Sequence, residues 1–176
     1  MKGGNTMTET VAEYRKRIVG HVEGDDPLKL QAAAPKKIER LLKGVSAAKL
    51  RKRLAPEKWS VGEIVAHLAD AEIVVAWRLR AIIGEPGVLI QAYDQNVWVT
   101  SGHYALRDAR KSLEQYRAVR EANLALLKLL KAEQWKHAGM HAERGEESIE
   151  MIVRMMAGHD INHIKQIERI VGAKKA

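Results

Sequence analysis

The sequence predicts an all-α protein: a four-helix bundle with a long crossover connection and a short extra N-terminal helix. Three observations lead there. Apolar residues recur at the 3.6-residue period over most of the chain, Ser60 and Ser148 stand where helix caps belong, and a long irregular segment follows Gly84. A chain of 176 residues, 46% of them apolar, suits one compact core. The expected organisation is an N-terminal extension with a short helix over residues 1–24 and a bundle domain over residues 25–176.

Taken in order, the segment from about Thr10 to Val22 is amphipathic, and Gly24-Asp25-Asp26-Pro27 ends it. The next helix is expected over Lys36–Lys43. Pro35 would sit in its first turn, where a missing N–H loses no partner, and Gly44 would stop it. The clearest boundary follows. Ser60-Val61-Gly62-Glu63 fits a capping box, and Trp59 and Ile64 stand where a hydrophobic staple would place them. Val61, Ile64, Val65, Leu68, Ala71, Val75, Leu79 and Ile82 then carry the helical period to Gly84.

From Glu85 to about Arg107 the pattern breaks, with Pro86, Gly87 and Gly102 punctuating the aromatic stretch QAYDQNVWVTSGHY. So long a connection in a small helical protein is functional or a crossover along the bundle. Another amphipathic stretch runs through Leu113, Tyr116, Val119, Leu124, Leu127, Leu130 and Trp135. HAGMHAERGEES turns the chain, and its alternation suits a short hairpin. Ser148 caps the last helix, striped by Ile149, Ile152, Val153, Met156, His163, Ile167 and Ile170 down to Gly172.

Composition also excludes. With no cysteine, disulfides, thiolate zinc fingers, iron–sulfur clusters and a cysteine nucleophile are ruled out, so any metal must sit on nitrogen and oxygen. The first residues, MKGGNTMTET, hold no apolar secretory region, and Met7 is an alternative start. Arg78, Arg80 and Glu85 interrupt the longest apolar stretches well short of the ~20 residues a membrane span needs. A cytoplasmic protein is the expectation. The net charge of +8 raises a polyanion as partner, and the excess is densest between Lys36 and Arg53. That run also carries Ile38, Leu41, Leu42 and Val45 at helical spacing, which reads as the wet face of a core helix.

The stripe of the last helix changes character at one place. After Met156 it continues through His159 or Asp160 and then His163, polar residues where the core should be. His159 and His163 lie one helical turn apart and can aim at one point, and His67 lies in a separate helix, in WSVGEIVAHLADAE. A lone histidine on an apolar face is an ordinary hydrogen-bonded core residue. Several buried together need a shared partner, and one divalent cation bound by imidazole nitrogen satisfies them all while leaving positions open for water or substrate.

WSVGEIVAHLADAE, the AYDQNVW segment, the G-x-H-x-E-R-G turn and HDINHIKQI together resemble the DinB-like (YfiT-like) family of metal-dependent four-helix-bundle proteins, over most of the chain from about Pro35 to Val171. The resemblance implies a bundle in which one histidine of the second bundle helix and two of the fourth hold a divalent metal; by motif these are His67, His159 and His163. It further implies thiol-dependent transfer, with a low-molecular-weight thiol as co-substrate, or hydrolase-type chemistry on a small molecule.

Imidazole nitrogen accommodates Zn, Ni, Fe or Cu, with Zn or Ni preferred here. Bound to such a site, water or a thiol loses its proton near neutral pH, so the same ligands serve either chemistry. Among nearby carboxylates, Asp94 in the crossover is the candidate proton acceptor, against a structural turn role. Asp160 points about 100° away from His159 around the helix, towards a neighbouring helix. Asp70 would orient an imidazole or face solvent, and Glu63 belongs to its cap. Tyr93 and Trp98 would line a pocket mouth or pin the crossover, Gln166 would reach the site's edge, and His141, in the family-like turn, would approach the open side of the site or, the preferred reading, sit in a surface loop.

Two other classes compete with an enzyme: a binding or stress-response module stabilised by metal, and a basic polyanion-interacting protein whose histidines are core residues. Neither a membrane nor nucleic acid is the expected partner. A homodimer would cover any residual apolar face of so small a bundle.

Overall fold

The structure, a computed structural model, describes residues 9–172. The alternative start at Met7 and the beginning of the expected N-terminal extension lie outside the described residues. Helix α1 (Val11–Gly20) opens on a capping box between Thr10 and Glu13. Gly24, with φ +84°, turns the chain into α2 (Pro27–Leu42).

The head of α2 corrects the start expected at Lys36. Asp26 accepts from the N–H groups of Leu28 and Lys29, and Pro27 occupies the first helical position. The Asp-Pro pair that reads as the end of α1 is thus the cap of α2, and Pro35 lies inside the helix. A proline has no N–H for the carbonyl four residues back, here that of Gln31. Arg120 Nη1 donates to that oxygen at 3.3 Å from across the core, so a side chain 89 residues away fills the gap in the ladder.

After the short α3 (Ala47–Arg51), α4 (Val61–Gly84) starts where Ser60 predicts, with both capping-box bonds present and Arg53 paired to Glu63. The crossover contains β1 (Leu89–Ile90), α5 (Gln95–Ser101) and a 3-10 turn at Tyr104–Leu106. Asp108 caps α6 (Ala109–Leu127), which stops short of Leu130 and Trp135; Trp135 lies in the 3-10 turn Ala132–Lys136. The expected hairpin is present as β2 (Ala138–His141) and β3 (Gly145–Ser148), antiparallel, with β1 added parallel to β2 so that Ile90 lies opposite His141. Ser148 then caps α7 (Ile149–Val171).

The bundle is α2, α4, α6 and α7. One apolar cluster joins Ile38 and Leu42 late in α2, Ile64 and Leu68 early in α4, Leu113 and Tyr116 early in α6, and Ile164 and Ile167 late in α7. A second joins Leu28 early in α2, Leu79 and Ile82 late in α4, Leu127 at the end of α6, and Ile149 and Val153 early in α7. Helices α4 and α6 therefore run in one direction and α2 and α7 in the other. Parallel neighbours oblige the chain to travel back along the bundle, which explains the length of the crossover between α4 and α6.

Helix α1 is packed onto α7 at Gly158, where a Cβ would lie 2.0 Å from the carbonyl oxygen of Ile18. The basic run from Lys36 to Arg53 is exposed at every lysine and arginine, while Ile38, Leu42 and Leu50 are buried beneath it. No helix among the described residues is long and apolar enough to cross a membrane.

Candidate metal centre

Two helices bring the three histidines together. The capping box sets the start of α4 and places His67 two turns into it, facing α7; on α7, the one-turn spacing stacks His159 and His163 on the same face. His67 Nε2 lies 3.0 Å from His159 Nε2, which lies 3.2 Å from His163 Nε2. Nitrogens bound to one ion at ~2.0–2.1 Å in tetrahedral or right-angled arrangement stand about 2.8–3.4 Å apart, so the spacing fits a shared divalent cation.

Proton bookkeeping agrees. His163 Nδ1 is 3.0 Å from Gln166 Oε1, an acceptor, so Nδ1 carries the proton and Nε2 presents a bare lone pair to the centre. His159 Nε2 faces both partners and can share a proton with only one of them. Burial, with His163 adding to it, pushes His67 down to about 3, and burial pushes His163 down to about 4 against the opposing bond from Gln166. His159 is held well below its ordinary value by burial and then by its two neighbours. Three neutral imidazoles result, the protonation state a metal requires. His159 Nδ1 is buried with no hydrogen-bond partner among the described residues.

Sequence reasoning missed Trp59 as part of this centre. Its ring lies parallel to His163, 7° between planes at 6.4 Å, and tilted over His67 at 5.1 Å. It also packs on the cluster that contains Ile64, so the staple residue doubles as a wall of the histidine cluster.

A cavity of about 480 Å³ opens onto His67 and His159. Helices α4 and α7 form its floor, and α1, the crossover and the hairpin form its rim. Tyr93 and Asp94 both line it. Trp98 does not line it but packs against Tyr93, ring centroids 4.4 Å apart and planes tilted by 34°. Asp94 is exposed, and its Oδ1 accepts from Asn96 and Val97 N–H as the cap of α5.

The other carboxylates divide. Asp160 reaches a neighbouring helix, as its angle predicts: it accepts from Tyr116 at 2.7 Å and from Arg120 at 2.5 Å. Arg120, fully buried, also holds Glu72 at 2.6 Å. Burial opposes its charge, but Asp160, Tyr116 and Glu72 more than offset this and keep it protonated. The network ties α6 to α4 and α7 directly behind His159. Asp70 neither orients an imidazole nor stands free in solvent; it pairs with Arg107 at 2.7 Å and fastens the crossover to α4.

His141 is the clearest correction. Of its two readings the preferred surface loop role fails and the approach to the open side holds: it is 3% exposed in β2, and it lines the cavity. The hairpin alternation was visible in the sequence; the strand from the crossover that covers it was not.

Comparison with known proteins agrees with this architecture. YfiT of Bacillus subtilis, provisionally named a metal-dependent hydrolase, is 23% identical over 171 residues, covering 94% of this chain and 96% of the relative. A Halalkalibacterium halodurans protein with the same kind of provisional name is 22% identical over 135 residues, covering 77% of this chain and 78% of the relative. The solved structure of YfiT, described as an unusual four-helix bundle topology, matches with a TM-score of 0.76 at 20% identity, covering 99% of this chain and 95% of that one. The family model of the DinB superfamily matches residues 31–167, a span that takes in His67, His159 and His163. The chain belongs to the DinB superfamily.

Proposed function

We propose that the protein is a divalent-metal-dependent enzyme with hydrolase-type chemistry on a small molecule, its metal held by His67, His159 and His163. One observation carries this reading: three neutral imidazole nitrogens, two from buried rings and one from the half-buried His159, converge at 3.0 and 3.2 Å, and the cavity of about 480 Å³ opens onto that point. The provisional names of the relatives support the same chemistry. An all-nitrogen set suits zinc or nickel.

A bound divalent ion supplies Lewis acidity, polarising a carbonyl and acidifying water near neutral pH. The chain does the rest. Gln166 fixes the ring of His163 with its lone pair inward. Trp59 shields the histidines on one side and keeps bulk water to the cavity side. Asp94 takes up the proton released at the open side: its Oδ1 is engaged by the cap of α5, and Oδ2 has no hydrogen-bond partner among the described residues.

The test is turnover of small ester and amide panels by metal-loaded and chelated protein, with low-molecular-weight thiols plus electrophiles run in parallel. Hydrolysis should require metal and disappear in His159→Ala. Asp94→Asn should lower kcat by about 10²–10⁴-fold with metal content unchanged. Turnover indifferent to chelation overturns the reading. Thiol transfer without any ester or amide hydrolysis would replace hydrolase by thiol-dependent transferase at the same site.

A further inference from the structure

Arg78 is 6% exposed, lines the same cavity and has no carboxylate partner among the described residues. Its guanidinium carries five N–H donors. Nη2 donates to the carbonyl oxygen of Gln91 at 2.7 Å, and neither Nη1 nor Nε donates to any described protein atom. A buried guanidinium without a paired carboxylate is costly, so its retention calls for a reason beyond one hydrogen bond to a loop and the face of Tyr93 at 5.9 Å.

The neighbouring carboxylates are engaged elsewhere. Glu147 is taken by a two-pronged pair with Arg144 at 2.6 and 2.8 Å, and Arg15 approaches it at 3.4 Å. Glu9 is paired with Arg17, Asp94 caps α5, and Glu143 is exposed at the rim.

His141 sharpens the picture. Its Nδ1 accepts two backbone N–H groups, from Glu143 at 3.1 Å and Arg144 at 3.3 Å, which leaves the proton of the neutral ring on Nε2. Burial, then Arg144 and Arg78, hold the ring below its ordinary pKa and so neutral. Nε2–H stands 3.4 Å from Arg78 Nη2, which is also a donor. With both groups donors, neither satisfies the other, and since both residues line the cavity an anionic oxygen lodged beside the pair would accept from both.

We propose that Arg78 and the Nε2–H of His141 form an oxyanion subsite in the cavity, so that the substrate of the metal chemistry proposed above carries a carboxylate or phosphate at the end remote from its reacting group. The span is set by α4. His67 and Arg78 are eleven residues apart, close to three turns and about 16 Å of rise on one face. Ala71, Val75, Ile152 and Met156 line the cavity with them. The substrate class is therefore an extended molecule with an apolar middle and an anionic end, not a small inorganic ion.

Calorimetric titration of the protein, as purified and after zinc loading, with hexanoate, hexyl phosphate and neutral hexanamide tests this. One or both anions should bind at least about tenfold more tightly than the amide, the size expected for a charged hydrogen-bonded pair. The anion preferred over the other identifies the group recognised. Arg78→Gln should abolish that preference without changing metal content, and Arg78→Lys should keep part of it. Equal binding of anions and amide by the wild type, or an undiminished preference in Arg78→Gln, overturns the subsite. Should Arg78→Gln not fold, the wild-type ratio and Arg78→Lys still decide. A preference that depends on Arg78 in protein that takes up no zinc leaves the subsite standing and sinks the metal reading. Zinc uptake without any preference does the reverse.

Discussion

At the scale of single residues, the chemistry of the centre depends on which nitrogen of each ring faces inward. Gln166 settles this for His163, because an amide oxygen at Nδ1 forces the lone pair onto Nε2. Gln166→Ala should therefore weaken metal affinity by about 10–100-fold, read by competition with a chromophoric chelator, while thermal unfolding of the metal-free protein changes little. Unchanged affinity would mean that packing alone orients the ring. The histidine spacing on α7 was legible in the sequence because one helical turn is a local fact. Arg78 was legible only as a charge that breaks an apolar stretch, because its meaning depends on β2 and on a loop carbonyl from outside its own helix.

At the scale of elements, the caps were readable and the ladder repairs were not. Ser60, Glu63 and Ser148 act within one turn, so the starts of α4 and α7 fall where the residues put them. The head of α2 was misplaced because Asp26-Pro27 ends one helix as plausibly as it begins the next. Pro35 inside α2 leaves the Gln31 carbonyl without its helical donor, and Arg120 supplies one, a partner no local pattern reveals. A second long-range fit is the crossing of α1 over α7. Gly158→Ala would place a methyl 2.0 Å from the Ile18 carbonyl oxygen, and backbone cannot swing away as a side-chain tip can. The expected cost is about 1–3 kcal/mol in urea unfolding, with α1 shifted off the rim of the cavity. A neutral substitution would show that α1 is loosely held.

At the scale of the whole molecule, the parallel pairing of α4 with α6 makes the crossover long, and that length brings Tyr93 and Asp94 to the cavity on the open side of the histidine cluster. The same architecture buries imidazoles that resist protonation, which sets a pH dependence for the metal-free protein. His67 and His163 are lowered from 6.5 to about 3 and about 4. Above pH 6.5 folded and unfolded chains are both neutral at these rings, and the full stability is present. As the pH falls below that value the unfolded chain gains protons that the folded chain refuses. Stability is then lost towards pH 4 and 3 by about 1.4 kcal/mol per pH unit per histidine. Urea midpoints between pH 7 and 4 check this, and His67→Gln should flatten the slope; a profile flat down to pH 4 would contradict it.

The central claim is a single metal shared by three histidines from two helices. Elemental analysis of purified, untagged protein after zinc or nickel loading, alongside His67→Ala, His159→Ala and His163→Ala, tests it most directly. The account predicts close to one ion per wild-type chain and sharply reduced occupancy in each variant whose circular dichroism shows an intact bundle. Full occupancy in all three variants, or no uptake by the wild type, would contradict it.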